Sequence, residues 1–536
     1  MKFSYLLLFF CLSLNAQFNN LQRNQIDVLN YEFHIQISDT SNQITAQTKV
    51  RVLLKEDIDS LFLNLKNITQ SNLGMKVLSV KSLSGKDLKY KHQNDKLTLY
   101  NTENCRKKDT IHFVVSYEGI PQDGLYISKN KYAKRTFFGD NWPNRAQNWL
   151  PVVDHLSDKA LVEWYITAPK HYQVVATGIL ESTKESTHTT IYHFLSKEAL
   201  PTKVMVFAAA DFKVKTFPKV NLNNNTITVQ NWIFKDSPDL GFDDYTVAIE
   251  VLHYYEKLVG DYSYRKLDNV QSKTRFGGME NAATIFYKEN SIDGTKAVEG
   301  LVAHEVAHQW FGNVVTEENW EDIWLSEGFA TYLTDLYFEN KYGENRLKKR
   351  MEMERNKVIR FNSYVSQPIV YQEKNDLMRL LNANSYEKGA WVLHMLRMKM
   401  GETLFFELLK TYYKKFRHSN ASTQDFITLS EQISKQNLTV FFQQWLYRPG
   451  IPKLNIKTEL NWEKRTVLVE ILQVDKIYEL ELQLQFTSNG FEQNETLQLN
   501  KPYQKFEIPM TNTLEKEDFH LVVDPNVHLL FQELNP

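Results

Sequence analysis

A pentapeptide and one glutamate beyond it constrain this chain more than any other feature. His304, Glu305 and His308 spell H-E-x-x-H inside residues 295–332, and after eighteen intervening residues comes Glu327, in the run WLSEGFATY. Residues i and i+4 share a helix face, so a helix here lets both imidazoles reach one metal ion. Glu305 follows the first histidine directly, where a base acting on a metal-bound water is needed. Two histidines and a carboxylate are the three-ligand set of a catalytic zinc, with a fourth position open to water. The pentapeptide alone also fits two unligated histidines on a surface helix, so its surroundings decide. Val298, Leu301, Val302, Val306 and Trp310 recur near the helical period, and Gly312-Asn313 offers a stop. A second helix starting near Asp322, a good N-cap type, carries Glu327 one turn in. Two helices joined by a loop then let Glu327 face the histidines.

The rest of the chain is organised around that pair. Residues 1–16 (MKFSYLLLFFCLSLNA) have a lysine, a short apolar run and a small residue at Ala16. That is the pattern of a secretory signal peptide cut before Gln17, so the expectation is an exported protein, periplasmic or secreted. The apolar run is too short to span a bilayer comfortably, and no other stretch is long enough, so no transmembrane segment is expected. A formal net charge of −1, with 24% charged residues, gives no basic excess for nucleic acid or an anionic membrane. Cutting the signal removes Cys11 and leaves Cys105 alone, so the fold does not rest on a disulfide.

Periodicity divides the remainder into three. Residues 17–211 read as strands: Phe33, Ile35 and Ile37 alternate with polar residues, as do Val50, Val52 and Leu54. Within them, residues 137–160 are rich in Trp, Pro, Asn and Asp and read as a long irregular loop of the kind that is often functional. Residues 212–450 turn helical, with amphipathic helices expected over 243–259, 331–342, 344–362, 386–400, 402–413 and 423–435. In their midst Gly277-Gly278 allow a sharp turn or bulge before Met279, Glu280 and Asn281, and Ile285-Phe286 suggest a strand edge. From 451 to 536 alternation returns, with strands expected over 454–460, 466–472, 478–486 and 521–523, a small β-sandwich. The fold class expected is therefore α+β and multidomain: a β-rich N-terminal domain, a mostly helical catalytic domain and a C-terminal β-sandwich.

On these residues the chain resembles the M1 family of zinc aminopeptidases, of the gluzincin group. The resemblance is carried by GGMEN (277–281), HEVAH (304–308), WLSEGFATY (324–332) and SYEKGA (385–390), with NWLPVVDHLSDKA, APKHYQVVATG and LPTKVMVFAAADF before them and WLYRPGIPKLNI and VVDPN after. It implies an N-terminal β-saddle, a thermolysin-like catalytic domain and a β-sandwich. Members commonly end in a large helical domain. This sequence stops at Pro536, so the expectation is a short member lacking it, which leaves the usual limit on substrate length in question.

The resemblance also implies roles. His304, His308 and Glu327 bind one Zn²⁺. Glu305 is the general base on the water, and Tyr386 stabilises the oxyanion, a choice that physics alone does not make among twenty-seven tyrosines. Glu280 binds the substrate α-ammonium, because a buried acid left without a cation is costly and so counts one residue from the N-terminus. Gly277, Gly278 and Met279 offer backbone to the substrate as an added strand, beside Asn281. Residues 137–151 align with the segment lining the first side-chain pocket, which makes Asp140 and Trp142 pocket candidates. The expected substrates are peptides with a free N-terminus. Alternatives are the epoxide hydrolase activity of one family branch, a thermolysin-like endopeptidase, which Glu280 disfavours, and a non-catalytic peptide-binding scaffold, which predicts loss of a ligand or of the base.

Overall fold

The computed structural model describes residues 25–100, 106–373, 376–488, 491–511 and 519–534. Residues 1–16, where a signal peptide is expected, and Cys105 lie outside them. The chain forms two compact units, Met1–Glu318 with Phe416–Asn420, and Asn319–Lys415 with Ala421–Pro536.

The first unit begins in sheets. Strand Ile26–Gln36 lies at the middle of an eight-stranded sheet, antiparallel to Ile44–Leu54 and parallel to Lys159–Pro169. The alternation read from the sequence is the observed burial: Phe33, Ile35, Val50, Val52 and Leu54 are all interior. A period of two gives each strand one buried face, and the β-branched and aromatic residues fill it. The stretch around residue 140 is less irregular than expected. Strand Arg135–Gly139 belongs to a four-stranded sheet, and a short helical turn, Ala146–Asn148, follows a cis Trp142–Pro143 bond. Its order comes from burial: Trp142, Trp149 and Leu150 are all interior.

A six-stranded sheet then prepares the site. Thr226–Phe234, Lys266–Ser272 and Thr284–Lys288 run parallel, and the two-residue strand Gly278–Met279 pairs antiparallel with the last, Gly278 opposite Tyr287 and Met279 opposite Phe286. Gly278–Met279 is the terminal strand of that sheet. Helix α1, Val247–Leu258, packs on α2, Glu299–Ala307, and Tyr255 donates a hydrogen bond to the Ala303 carbonyl at 3.1 Å. After α2 the chain tightens. Gln309 N–H and Trp310 N–H reach back three residues, and Gly312, at φ +119°, closes the turn where the sequence offered a stop.

The second unit is helical and then β. Asp322 is not the N-cap of the next helix. It closes a capping box with Asn319 around the turn Trp320–Asp322, and α3 runs from Trp324 to Tyr342. Helices α4 (Glu344–Asn362), α5 (Gly389–Met400), α6 (Glu402–Phe416) and α7 (Thr423–Ser434) follow, within a few residues of their expected limits. The exception is the start of α5, where Asn384–Lys388 form a π-helical turn instead of the first turn of an α-helix. The β segment has a four-stranded and a three-stranded sheet. Two of its strands, Phe491–Leu499 and Tyr503–Pro509, were not expected, because most of their side chains stay in solvent and only Leu497, Leu499 and Ile508 are buried. No helix among the described residues is long and apolar enough to cross a membrane.

Candidate active site

The buried stripe of α2 (Val302, Ala303 and Val306) faces the first unit's core and leaves the histidines to one side. His308 caps the helix, nearly fully buried, and its Nδ1 lies 3.1 Å from the Phe311 carbonyl. A carbonyl only accepts, so Nδ1 carries the proton and Nε2 keeps its lone pair, which is the tautomer a metal ligand needs. That Nε2 lies 3.1 Å from His304 Nε2, with the rings at 84°. His304, His308 and Glu327 each offer one ligand atom of a kind that can hold a metal ion. Two imidazole nitrogens and a carboxylate oxygen are the donor set of a tetrahedral zinc with one position open.

Glu305, on the same helix, reaches the edge of the sheet at Gly278. It is 5% exposed, and a Cβ added at Gly278 would sit 2.2 Å from its Oε1 and 2.4 Å from its Cδ. The second glycine of GGMEN is therefore a space requirement of the Glu305 side chain. Burial holds the neighbouring Tyr287 hydroxyl well above its ordinary pKa, and the charge of Glu305 adds to this, so Tyr287 stays protonated beside that carboxylate. Two residues along from Gly278, Glu280 is also 5% exposed, and its Oε1 is buried with no hydrogen-bond partner among the described residues. Its main-chain carbonyl accepts two bonds, from Gln309 Nε2 at 3.1 Å and Asn313 Nδ2 at 2.6 Å. The side chain of Asn281 is wholly buried, with neither amide atom partnered among the described residues. Gly277 has ordinary room, since a Cβ added there would meet only Leu301, at 3.7 Å, and its carbonyl accepts the Lys288 N–H at 2.9 Å.

In the second unit, Glu327 and Tyr386 are drawn together by two glycines. A Cβ on Gly328 would lie 2.9 Å from Gly389 Cα and 3.2 Å from the Ser385 carbonyl, so α3 and the π-turn touch backbone to backbone. Tyr386 is half-buried in that turn, which Lys388 anchors by donating to the Gly450 carbonyl at 2.9 Å. Of the two pocket candidates, Asp140 is fully buried in an ion pair with Arg145, and Thr274 Oγ1 lies 3.5 Å from its other oxygen. Burial raises the Asp140 carboxyl and Arg145 opposes the rise. Trp142 meets Phe276 edge to face at 6.0 Å, directly before Gly277.

Models of two domains match this chain: the peptidase M1 N-terminal domain over residues 28–204 and the peptidase family M1 domain over 244–445. The chain belongs to peptidase family M1. An M1 zinc metallopeptidase from Deinococcus radiodurans has the same fold, with a TM-score of 0.70 at 23% identity over 80% of this chain and 95% of that one. In sequence the chain is 24% identical over 505 residues to a probable aminopeptidase 1 of Sulfurisphaera tokodaii, covering 89% of this chain and 60% of that protein. It is 27% identical over 386 residues to glutamyl aminopeptidase of Bos taurus, covering 67% and 39%. The chain thus spans about 60% or less of the length of these curated relatives. The segments GGMEN and HEVAH lie side by side, in one unit. Gln309, Asn313 and Arg145 were missed. The signal for the first two was present, since Gln309 and Asn313 fall four and eight residues after Glu305.

Proposed function

We propose that this chain is a zinc-dependent aminopeptidase that removes residues one at a time from peptides with a free N-terminus. The observation that carries the reading is Glu280: a buried carboxylate with an oxygen unpartnered among the described residues, directly after the edge strand whose glycine abuts Glu305. His304, His308 and Glu327 hold one zinc ion. Zinc bound there supplies a Lewis acid that activates water and polarises a peptide carbonyl. Glu305 takes the proton of the attacking water and hands it to the leaving amine. Tyr386 donates a hydrogen bond to the oxygen on which negative charge gathers. Gly277–Met279 bond the substrate main chain as a further strand, and Glu280 pairs with the α-ammonium at its end. A chain passing through without that cation leaves Glu280 buried and uncompensated, which costs several kcal/mol. Residues 137–151 border the first side chain. There Trp142 acts through its contact with Phe276, and Asp140 acts by fixing Arg145. The apolar run and Ala16 of the first sixteen residues support export as the setting.

The test uses one peptide sequence in two forms, with a free and with an acetylated N-terminus. Stepwise shortening of the free peptide alone, lost on chelation and restored by zinc, is the expected result. Equal internal cleavage of both forms would replace this reading with an endopeptidase. Cleavage of neither by metal-loaded protein would turn attention to epoxides.

A further inference from the structure

Glu280 and the metal ligands lie on different elements, yet a recogniser of the α-ammonium is useful only at a fixed distance from the metal. The segment that ends α2 bridges the two. Gln309 Nε2 donates to the Glu280 carbonyl at 3.1 Å and lies 3.2 Å from the Glu305 carbonyl, while Gln309 Oε1 accepts from Ala283 N–H at 2.8 Å. One amide thus ties both ends of the segment 280–283 to the helix of the base. Asn313 donates from its own N–H to the His308 carbonyl at 3.1 Å and from Nδ2 to the Glu280 carbonyl at 2.6 Å. Both side chains are sealed, at 1% and 0% exposure. Lys159, from a strand of the N-terminal sheet, braces the same segment. Its Nζ reaches the carbonyls of Asn313 at 3.2 Å, Val314 at 2.9 Å and Ser419 at 2.8 Å, three acceptors for the three donors of an ammonium.

We propose that Gln309 and Asn313 are positioning residues that register Glu280 against the histidine pair His304 and His308, with Lys159 bracing Asn313 from behind. The proposal rests on Glu280 binding the substrate α-ammonium. Each bond to the Glu280 carbonyl limits where its carboxylate sits, and a misplacement of an ångström at such a group costs up to about a hundredfold.

The experiment measures kcat and KM on the free peptide, the preference for free over acetylated peptide, and zinc content. It compares Gln309→Met, Asn313→Ala, Glu280→Ala and the double variant Glu280→Ala/Gln309→Met. The expected result is a rise in KM of about tenfold for each positioning variant, a smaller fall in kcat, a weakened free-peptide preference and full zinc content. The double variant should be no worse than Glu280→Ala, since a positioning residue has nothing left to position. Losses that multiply in the double variant, or lost zinc with an unchanged peptide preference, would assign Gln309 a merely structural role and overturn the proposal. If Glu280→Ala itself keeps the full preference for the free peptide, the function assigned to Glu280 fails first. If only the Gln309 and Asn313 variants are silent, the registration alone fails. Should Gln309→Met not fold, Asn313→Ala with its own Glu280→Ala double variant gives the same comparison through the other bond.

Discussion

Gly278 and Gly328 are both crowded, but by different kinds of atoms, and the difference fixes what a methyl group would do at each. At Gly278 the added Cβ meets the tip of the Glu305 side chain. A side-chain tip swings aside cheaply, so Gly278→Ala should fold, keep its metal and lose activity. A fall in kcat of about a hundredfold or more is expected, as for any displaced catalytic base. Circular dichroism and metal analysis beside the kinetics check it, and unchanged kcat would show that Glu305 is not the base. A second residue-scale prediction concerns His394, wholly buried between the Tyr332 hydroxyl at 3.0 Å and the Val527 carbonyl at 3.1 Å. Burial, with His528 and Arg397 adding charge repulsion, pushes its pKa down to about 3. An unfolded chain takes up that proton near pH 6.5, so between about 6.5 and 3 the unfolded state binds more protons and stability falls as pH falls. Buried Asp154 and Asp158, raised to about 6 and about 7, act in the opposite direction. They are common to wild type and variant, so they cancel in the comparison. On going from pH 7 to pH 4.5, the urea unfolding midpoint of His394→Gln should therefore shift upward relative to that of wild type.

Elements were legible where one face is buried and hard to read where neither face is, or where backbone replaces side chain. The long helices and the first strands follow apolar spacing closely. The strands Phe491–Leu499 and Tyr503–Pro509 escaped because a mostly solvated strand has no hydrophobic alternation to detect. The edge strand Gly278–Met279 was foreseen only as a turn or bulge beside a strand, since two residues are too few to show a period. The π-turn that carries Tyr386 could not be read either, because it packs on a backbone contact between Gly328 and Gly389, far apart in sequence. That contact is the object of the element-scale prediction. A Cβ at Gly328 meets main-chain atoms of Gly389, which cannot move without shifting α5. Gly328→Ala should therefore destabilise the protein by about 1–3 kcal/mol and separate Glu327 from the turn of Tyr386. Thermal denaturation and zinc affinity measured together check it, and an unshifted midpoint would mean that the helices slide at no cost.

For the whole molecule, the chemistry was legible because metal binding demands residue types at fixed spacing, whereas the residues that support it are ordinary in type. His304, His308 and Glu327 stand out in any reading. Gln309, Asn313 and Arg145 acquire meaning only once the chain is folded. The metal itself should act on the whole chain: at a thousandfold excess over its dissociation constant, zinc adds about 4 kcal/mol of stability. Chelation should accordingly lower the melting temperature of the wild type and leave that of Glu327→Ala nearly unchanged, as calorimetry with and without chelator will show. The sheet edge at Gly278–Met279 and the buried acid beyond it have one more consequence under the proposed function. Main chain looks alike in every peptide, and so does a terminal ammonium. A site that reads those two features inspects the end of a message and ignores its content. Each cut exposes another such end, so every product is again a substrate, and what stops the trimming must come from the peptide, as a residue that fits poorly beside the zinc or a chain too short to grip.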